Sequence, residues 1–251
     1  MAGGESLAVV QIVHGIGEYA SRYEPLAQAL AGAGYTVYAG DYRGHGATGV
    51  QQYDGDLSRL GRPGPGGVRA IIRGVSQLRG IAHDENPELP VVLLGHSMGS
   101  LLGQRRLNEA VEYDAVILSG TAYRTLAHMN SGDLAKRHRQ PGGTGHEWLS
   151  RDVAVQEAFR DDPLTFDAEV AKLFGIADGL RLLGRPRRLD RDIRMLIVIG
   201  SDDPLGGPRS VGLLAEAYRT RGGLSDVTVK VYEGHVTSCS TRPTRRRSVA
   251  T

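Results

Sequence analysis

Short apolar runs alternate with amphipathic stretches along the chain. Residues 8–13 (AVVQIV), Tyr35–Ala39, Val91–Leu94 and Ala115–Leu118 are brief and largely apolar, the pattern of strands buried in a parallel sheet. Between them, Arg22–Ala33 carries Leu26, Ala29, Leu30 and Ala33 on one helical face and stops at Gly34. Val68–Ile81 repeats the pattern with Val68, Ile71, Ile72, Val75 and Leu78; residues 47–67 are Gly-rich and polar, and Gly61–Gly67 (GRPGPGG) reads as loop. Met195–Ile199 predicts a further strand and Ser210–Thr220 a helix. Val227, Val229 and Val231 then alternate with polar residues as a last strand.

This order predicts an α/β fold, a mostly parallel sheet with helices on both faces and ligands at the carboxyl ends of the strands. Residues 121–190 break the rhythm. They contain no strand signal but hold Trp148, Leu149, Phe159, Leu164, Phe166, Leu173, Phe174 and Ile176, and predict an inserted helical cap whose apolar residues pack on the core and wall an acyl pocket. The expected organisation is core over 1–120 and 191–235, cap over 121–190, and a separate, disordered tail over 236–251.

Residues 91–103, VVLLGHSMGSLLG, bring chemistry to this frame. A buried strand, then G-x-S-x-G, then a helix is a nucleophile elbow, with Ser97 held in a strained turn at a helix N-terminus. Serine needs a base, and the base an orienting acid. In this architecture they follow in the order serine, acid, histidine. Of eight histidines only His235 lies beyond the candidate acid, so it is the expected base. Asp203, three residues past Gly200, is preferred over Asp202 as the acid. The loop His14-Gly15-Ile16-Gly17 lacks the third glycine of a dinucleotide fingerprint. It reads instead as an oxyanion loop, the Ile16 N–H joining that of Met98. DYRGHG (41–46) reads as a structural turn network.

Composition narrows the setting. The 251 residues are 40% hydrophobic without an apolar run of about 18, which predicts one soluble domain with no transmembrane segment. No export signal opens the chain and Cys239 is its single cysteine, so a reducing cytoplasm is expected. Net charge is +2. Residues 236–251 hold four arginines and no acid, and without them 30 basic residues fall to 26 against 28 acidic ones. KRHR (136–139) and RPRR (185–188) have no interleaved aromatics and read as solvated surface, so no nucleic-acid partner is expected. His83, Asp84 and Glu85 read as a polar loop, and no metal or cofactor is expected.

HGIGE, DYRGHG, GHSMG, ILSGT, WLSRD, GSDDPLGG and VTVKVYEG, in this order from Leu7 to Gly234, resemble the monoacylglycerol lipase and lysophospholipase-like branch of the α/β-hydrolases. The resemblance implies a serine hydrolase of carboxylic esters with Ser97, Asp203 and His235 as triad and Ile16 and Met98 as oxyanion donors. It also implies a small acyl-ester substrate and transient contact of the cap with lipid surfaces. Other esters, thioesters or lactones, or a non-catalytic binding role, are the alternatives. Two departures stand out. The antiparallel strand pair that usually opens the fold is missing, and the end, HVTSCSTRPTRRRSVAT, has no helical apolar face where a final helix is due. The abrupt shift to Arg, Ser, Thr and Pro leads to the expectation of a change of reading frame near Gly234 or His235. Close relatives carrying the same tail would contradict it.

Overall fold

A computed structural model describes residues 6–237. Six strands, β1 (Val9–Val13), β2 (Thr36–Ala39), β3 (Val91–His96), β4 (Ala115–Ser119), β5 (Arg194–Gly200) and β6 (Val227–Tyr232), form one parallel sheet in the order β2-β1-β3-β4-β5-β6. Helices α1 (Glu24–Gly32), α2 (Gly46–Gln52), α3 (Gly67–Asp84), α4 (Met98–Leu107), α5 (Val153–Asp161), α6 (Val170–Arg181) and α7 (Gly207–Ala217) accompany it. No described helix is long and apolar enough to cross a membrane.

Apolar runs become strands because the sheet is covered on both faces. Val9, Val10, Ile12 and Val13 of β1 are all buried. Val9 and Val13 join the larger core beneath α3 and α4, while Val10 and Ile12 pack with Tyr23 on the other face, against Leu26 and Leu30 of α1. Burying such a side chain contributes roughly 1.5–3 kcal/mol, so the sheet centre holds the fold. The chain leaves β1 toward β2 on one side and returns to β3 on the other, which opens a crevice at the carboxyl ends of β1 and β3. Val13 pairs with Gly95 there, and the segments following both strands emerge side by side.

The Gly-rich, polar stretch 47–67, for which the sequence predicts no helix, contains most of α2 and a 3-10 turn at Leu57–Arg59. Glycine-rich sequence argues against a helix, but tertiary contacts override it. Asp41 accepts hydrogen bonds from the Ala47 and Ala20 N–H groups at 2.7 Å, which fixes the start of α2. Gly49 is needed because a Cβ there would lie 2.6 Å from the Gly44 carbonyl carbon.

Residues 121–190 contain α5, α6 and a 3-10 turn at Leu134–Arg137, with no strand among the described residues. Leu149, Phe159 and Phe174 are buried, Phe174 within the main core, whereas Ile176 is 76% exposed. Arg124 ties the segment to the sheet. Fully buried, it donates to Gln104 on α4 and to the Leu182 carbonyl past α6. Val236 and Thr237, assigned to the tail, are buried. Residues 238–251, with Cys239 and the four arginines, lie outside the described residues.

Candidate active site

β3 delivers Ser97 to the crevice. Its φ and ψ are 49° and −118°, and among the described residues only Asp54 shares a positive φ without being glycine. Such a conformation costs of order 1–3 kcal/mol and persists only where surroundings enforce it. Here the neighbours do so. A Cβ at Gly95 would stand 2.7 Å from the Gly99 carbonyl oxygen, and one at Gly99 would press on backbone atoms of Val13 and His14, so β3, α4 and β1 touch through backbone alone. The Ser97 N–H donates to the Ser119 carbonyl at 2.9 Å, and the Ser97 carbonyl accepts from Ser100 Oγ. The Ser97 side chain stays partly open at the N-terminus of α4, where N–H groups lack intrahelical acceptors.

The loop after β1 faces this serine. A Cβ at Gly15 would lie 3.2 Å from Ser97 Cβ. The loop is clamped on every side. The Gly15 carbonyl accepts from Tyr42 Oη and from His14 Nδ1, both at 2.7 Å, and the Gly15 N–H donates to Glu18 at 2.7 Å. The Tyr42 N–H reaches His14 Nε2 at 3.4 Å, so the proton of His14 sits on Nδ1. His14 stacks flat on Tyr42, centroids 3.9 Å apart. Burial lowers the pKa of His14, and that of His45 falls to about 3, so both imidazoles are neutral. Ile16 follows the clamped glycine and Met98 is the first residue of α4; the two expected oxyanion donors belong to these facing segments. Phe166 closes over the loop, its N–H donating to the Gly17 carbonyl and its ring 5.2 Å from His45.

The two candidate acids differ in setting. Asp202 is exposed and paired with Arg151 at 2.6 Å. Asp203 is 6% exposed, its Oδ1 accepting from the N–H groups of Leu205 at 2.8 Å and Gly206 at 3.3 Å. Among the described residues its Oδ2 has no hydrogen-bond partner. Burial raises its pKa to about 6, against the pull of these N–H groups and of the nearby Thr237 hydroxyl.

That displacement predicts a pH effect. The unfolded carboxyl releases its proton near 3.8 and the folded one near 6, so stability is lost as pH rises from about 4 to above 6. The loss is on the order of 3 kcal/mol. About 2 kcal/mol of it falls between pH 4.5 and pH 8, so urea unfolding at these two values is expected to show a decline for the native chain larger by that amount than for Asp203→Asn, which has no proton to release.

His235 follows the turn after β6. Its N–H donates to the Tyr232 carbonyl, its carbonyl accepts from the Asp202 N–H at 3.0 Å, and its half-buried ring meets Tyr232 edge-on at 5.9 Å. Among the described residues no hydrogen bond joins this imidazole to Asp203 or to Ser97, and no group of three or more His, Cys, Asp or Glu is placed to hold a metal ion. The clamp of His14, Glu18 and Tyr42 has no counterpart in the sequence reading. The only signal for it was a polar residue directly after a buried strand.

A parallel sheet, an elbow serine at its crevice and a facing glycine loop define a serine hydrolase of the α/β-hydrolase fold. The chain belongs to the serine aminopeptidase S33 family, whose profile matches residues 4–236. A monoacylglycerol lipase of Mycolicibacterium smegmatis is 32% identical over 247 residues, covering 90% of this chain and 79% of that one. Human monoglyceride lipase is 29% identical, covering 92% and 75%. Among solved structures, the monoacylglycerol lipase of Paleococcus ferrophilus superimposes with a TM-score of 0.68 at 25% identity, covering 94% of this chain and 88% of that one. These relationships put the protein among the hydrolases of carboxylic esters.

Proposed function

We propose that the protein cleaves monoacylglycerol-like esters through an acyl-enzyme on Ser97. The observation that carries this is the forced conformation of Ser97 at the start of α4, opposite Gly15. A hydroxyl so held meets an ester carbonyl with the Met98 and Ile16 N–H groups on the side where negative charge develops. The Ser97 oxygen adds to the carbonyl carbon as its proton leaves to a base. The tetrahedral adduct collapses, expelling the alcohol with a proton, and water repeats the sequence on the acyl-enzyme. Asp203 is the orienting acid, and the order serine, acid, histidine nominates His235 as base. The monoacylglycerol class rests on the names of the relatives, and the aminopeptidase in the family description is the competing substrate class.

The test compares substrates within one protein, so that a slow base affects all of them alike. Acyl transfer to Ser97, read by intact mass, and release of glycerol are expected from a 1-monoacylglycerol at a kcat/KM at least about tenfold above that for a lysophosphatidylcholine. An aminoacyl p-nitroanilide is expected to give no product. Preference for the anilide would overturn the ester reading.

A further inference from the structure

Resting on that reading, the structure separates the position that should carry the base from the residue that sequence order selects. Among the described residues two buried polar atoms of neighbouring side chains, Asp203 Oδ2 and Thr237 Oγ1, have no hydrogen-bond partner. Asp203 presents one oxygen to two backbone N–H groups and leaves the other for a side-chain donor. The side-chain hydroxyl that acts on this carboxyl belongs to Thr237, which is close enough to affect its proton affinity yet outside hydrogen-bond geometry. Thr237 also borders the elbow. A Cβ at Gly120 would stand 3.1 Å from Thr237 Cγ2, from the Thr237 carbonyl oxygen and from Cε1 of His96, the residue before Ser97. Residue 237 thus occupies the space between the acid and the strand end that carries the nucleophile.

His235 is held elsewhere. A Cβ at Gly200 would overlap its carbonyl group, that carbonyl accepts the Asp202 N–H, and the ring turns toward Tyr232. Its backbone is therefore anchored from two sides, with the ring edge-on to Tyr232 and in no hydrogen bond to Asp203 among the described residues.

We propose that residue 237 is the base position of this active site, and that the chain, having threonine there, lacks the imidazole that would shuttle protons between Ser97 and the leaving alcohol. A threonine hydroxyl keeps its proton at neutral pH and accepts none from serine. An imidazole at 237 would accept the Ser97 proton on one nitrogen as the carbon–oxygen bond forms, hold its other N–H toward Asp203 Oδ2, and return the proton to the departing alkoxide. Water, deprotonated by the same imidazole, then releases the acyl group from Ser97 as the carboxylic acid.

The experiment compares the native chain, Thr237→His, Thr237→Asn and His235→Ala on p-nitrophenyl butyrate, with a fluorophosphonate label on Ser97 read in each. Thr237→His is expected to raise kcat on the order of a hundredfold. The gained rate should climb with pH through the imidazole range, about 6.5. Thr237→Asn, which fills the space without a titratable nitrogen, is expected to give neither the gain nor the profile. Because residue 237 is only 1% exposed, Thr237→Gly with added imidazole forms a second arm, its rate expected to rise in proportion to imidazole. Turnover by the native chain that disappears in His235→Ala overturns the proposal. So does the absence of gain in both arms while Ser97 is still labelled. Failure of Ser97 to label in every protein, Thr237→His included, overturns the hydrolase reading itself, and the proposal with it.

Discussion

Replacing Ser97 by alanine is expected to eliminate the acyl mass on the protein completely, and in the chain that carries Thr237→His to lower kcat on the order of a thousandfold or more. The elimination follows because the Ser97 oxygen is the only atom at the elbow that becomes part of the acyl-enzyme. The second effect depends on context, and that dependence is informative. Nucleophile and base act as a unit, so removing either costs about as much as removing both. If residue 237 withholds the base from the native chain, Ser97→Ala there is expected to cost about tenfold or less, since the remaining rate comes from the oxyanion donors and binding. Steady-state release of p-nitrophenol from the four proteins, native or Thr237→His, each with and without Ser97→Ala, therefore forms a double-mutant cycle. A thousandfold loss on Ser97→Ala in the native background would mean that a base already serves the serine, and would return His235 to that role.

The strands and the elbow were legible because each depends on local pattern. Runs such as AVVQIV and VVLLG have no stable place except between two covering layers, and the strand ends in the structure lie within two residues of the predicted ones. The glycines at 95 and 99 flag close backbone approach for the same local reason. Helix α2 was not legible, since its start depends on the side chain of Asp41, and no window around Gly46 contains the contacts that Gly49 makes. Nor was the clamp on Gly15, which draws on His14, Glu18 and Tyr42 from separate segments.

The base shows a different limit. Sequence order selects a residue type by elimination and returns His235 because it is the last histidine. It carries no information on loop length, and if residue 237 is the base position, a difference of two residues decides which side chain arrives. The contrast between Asp202 and Asp203 was also a matter of burial, one carboxylate on Arg151 at the surface and the other beneath the strand ends. A turn of four residues encodes such a difference only weakly.

Gly99→Ala is expected to cost about 3 kcal/mol of stability, the upper end for an overpacked site, and to reduce ester turnover on the order of a hundredfold. The added Cβ would stand 2.7 Å from the His14 carbonyl oxygen and the Val13 carbonyl carbon, and closer still to the Val13 oxygen. These are backbone atoms of β1 and the residue after it, which no rotamer change can move. Relief requires α4 to lift from β1 or β1 to shift along β3, and either motion carries the Ile16 N–H away from Ser97. Stability and activity therefore fail together, for one geometric reason. The control lies on α3, where a Cβ at Gly74 or Gly80 meets nothing within 4 Å. Alanine there removes helical flexibility and is expected to stabilise by roughly 0.5–1 kcal/mol with turnover unchanged. Urea midpoints for the three variants, read with p-nitrophenyl butyrate rates, decide the matter. A Gly99→Ala protein that unfolds at the native urea concentration would show that the elbow tolerates a side chain, and that the close approach of α4 to β1 does not hold Ser97 in place.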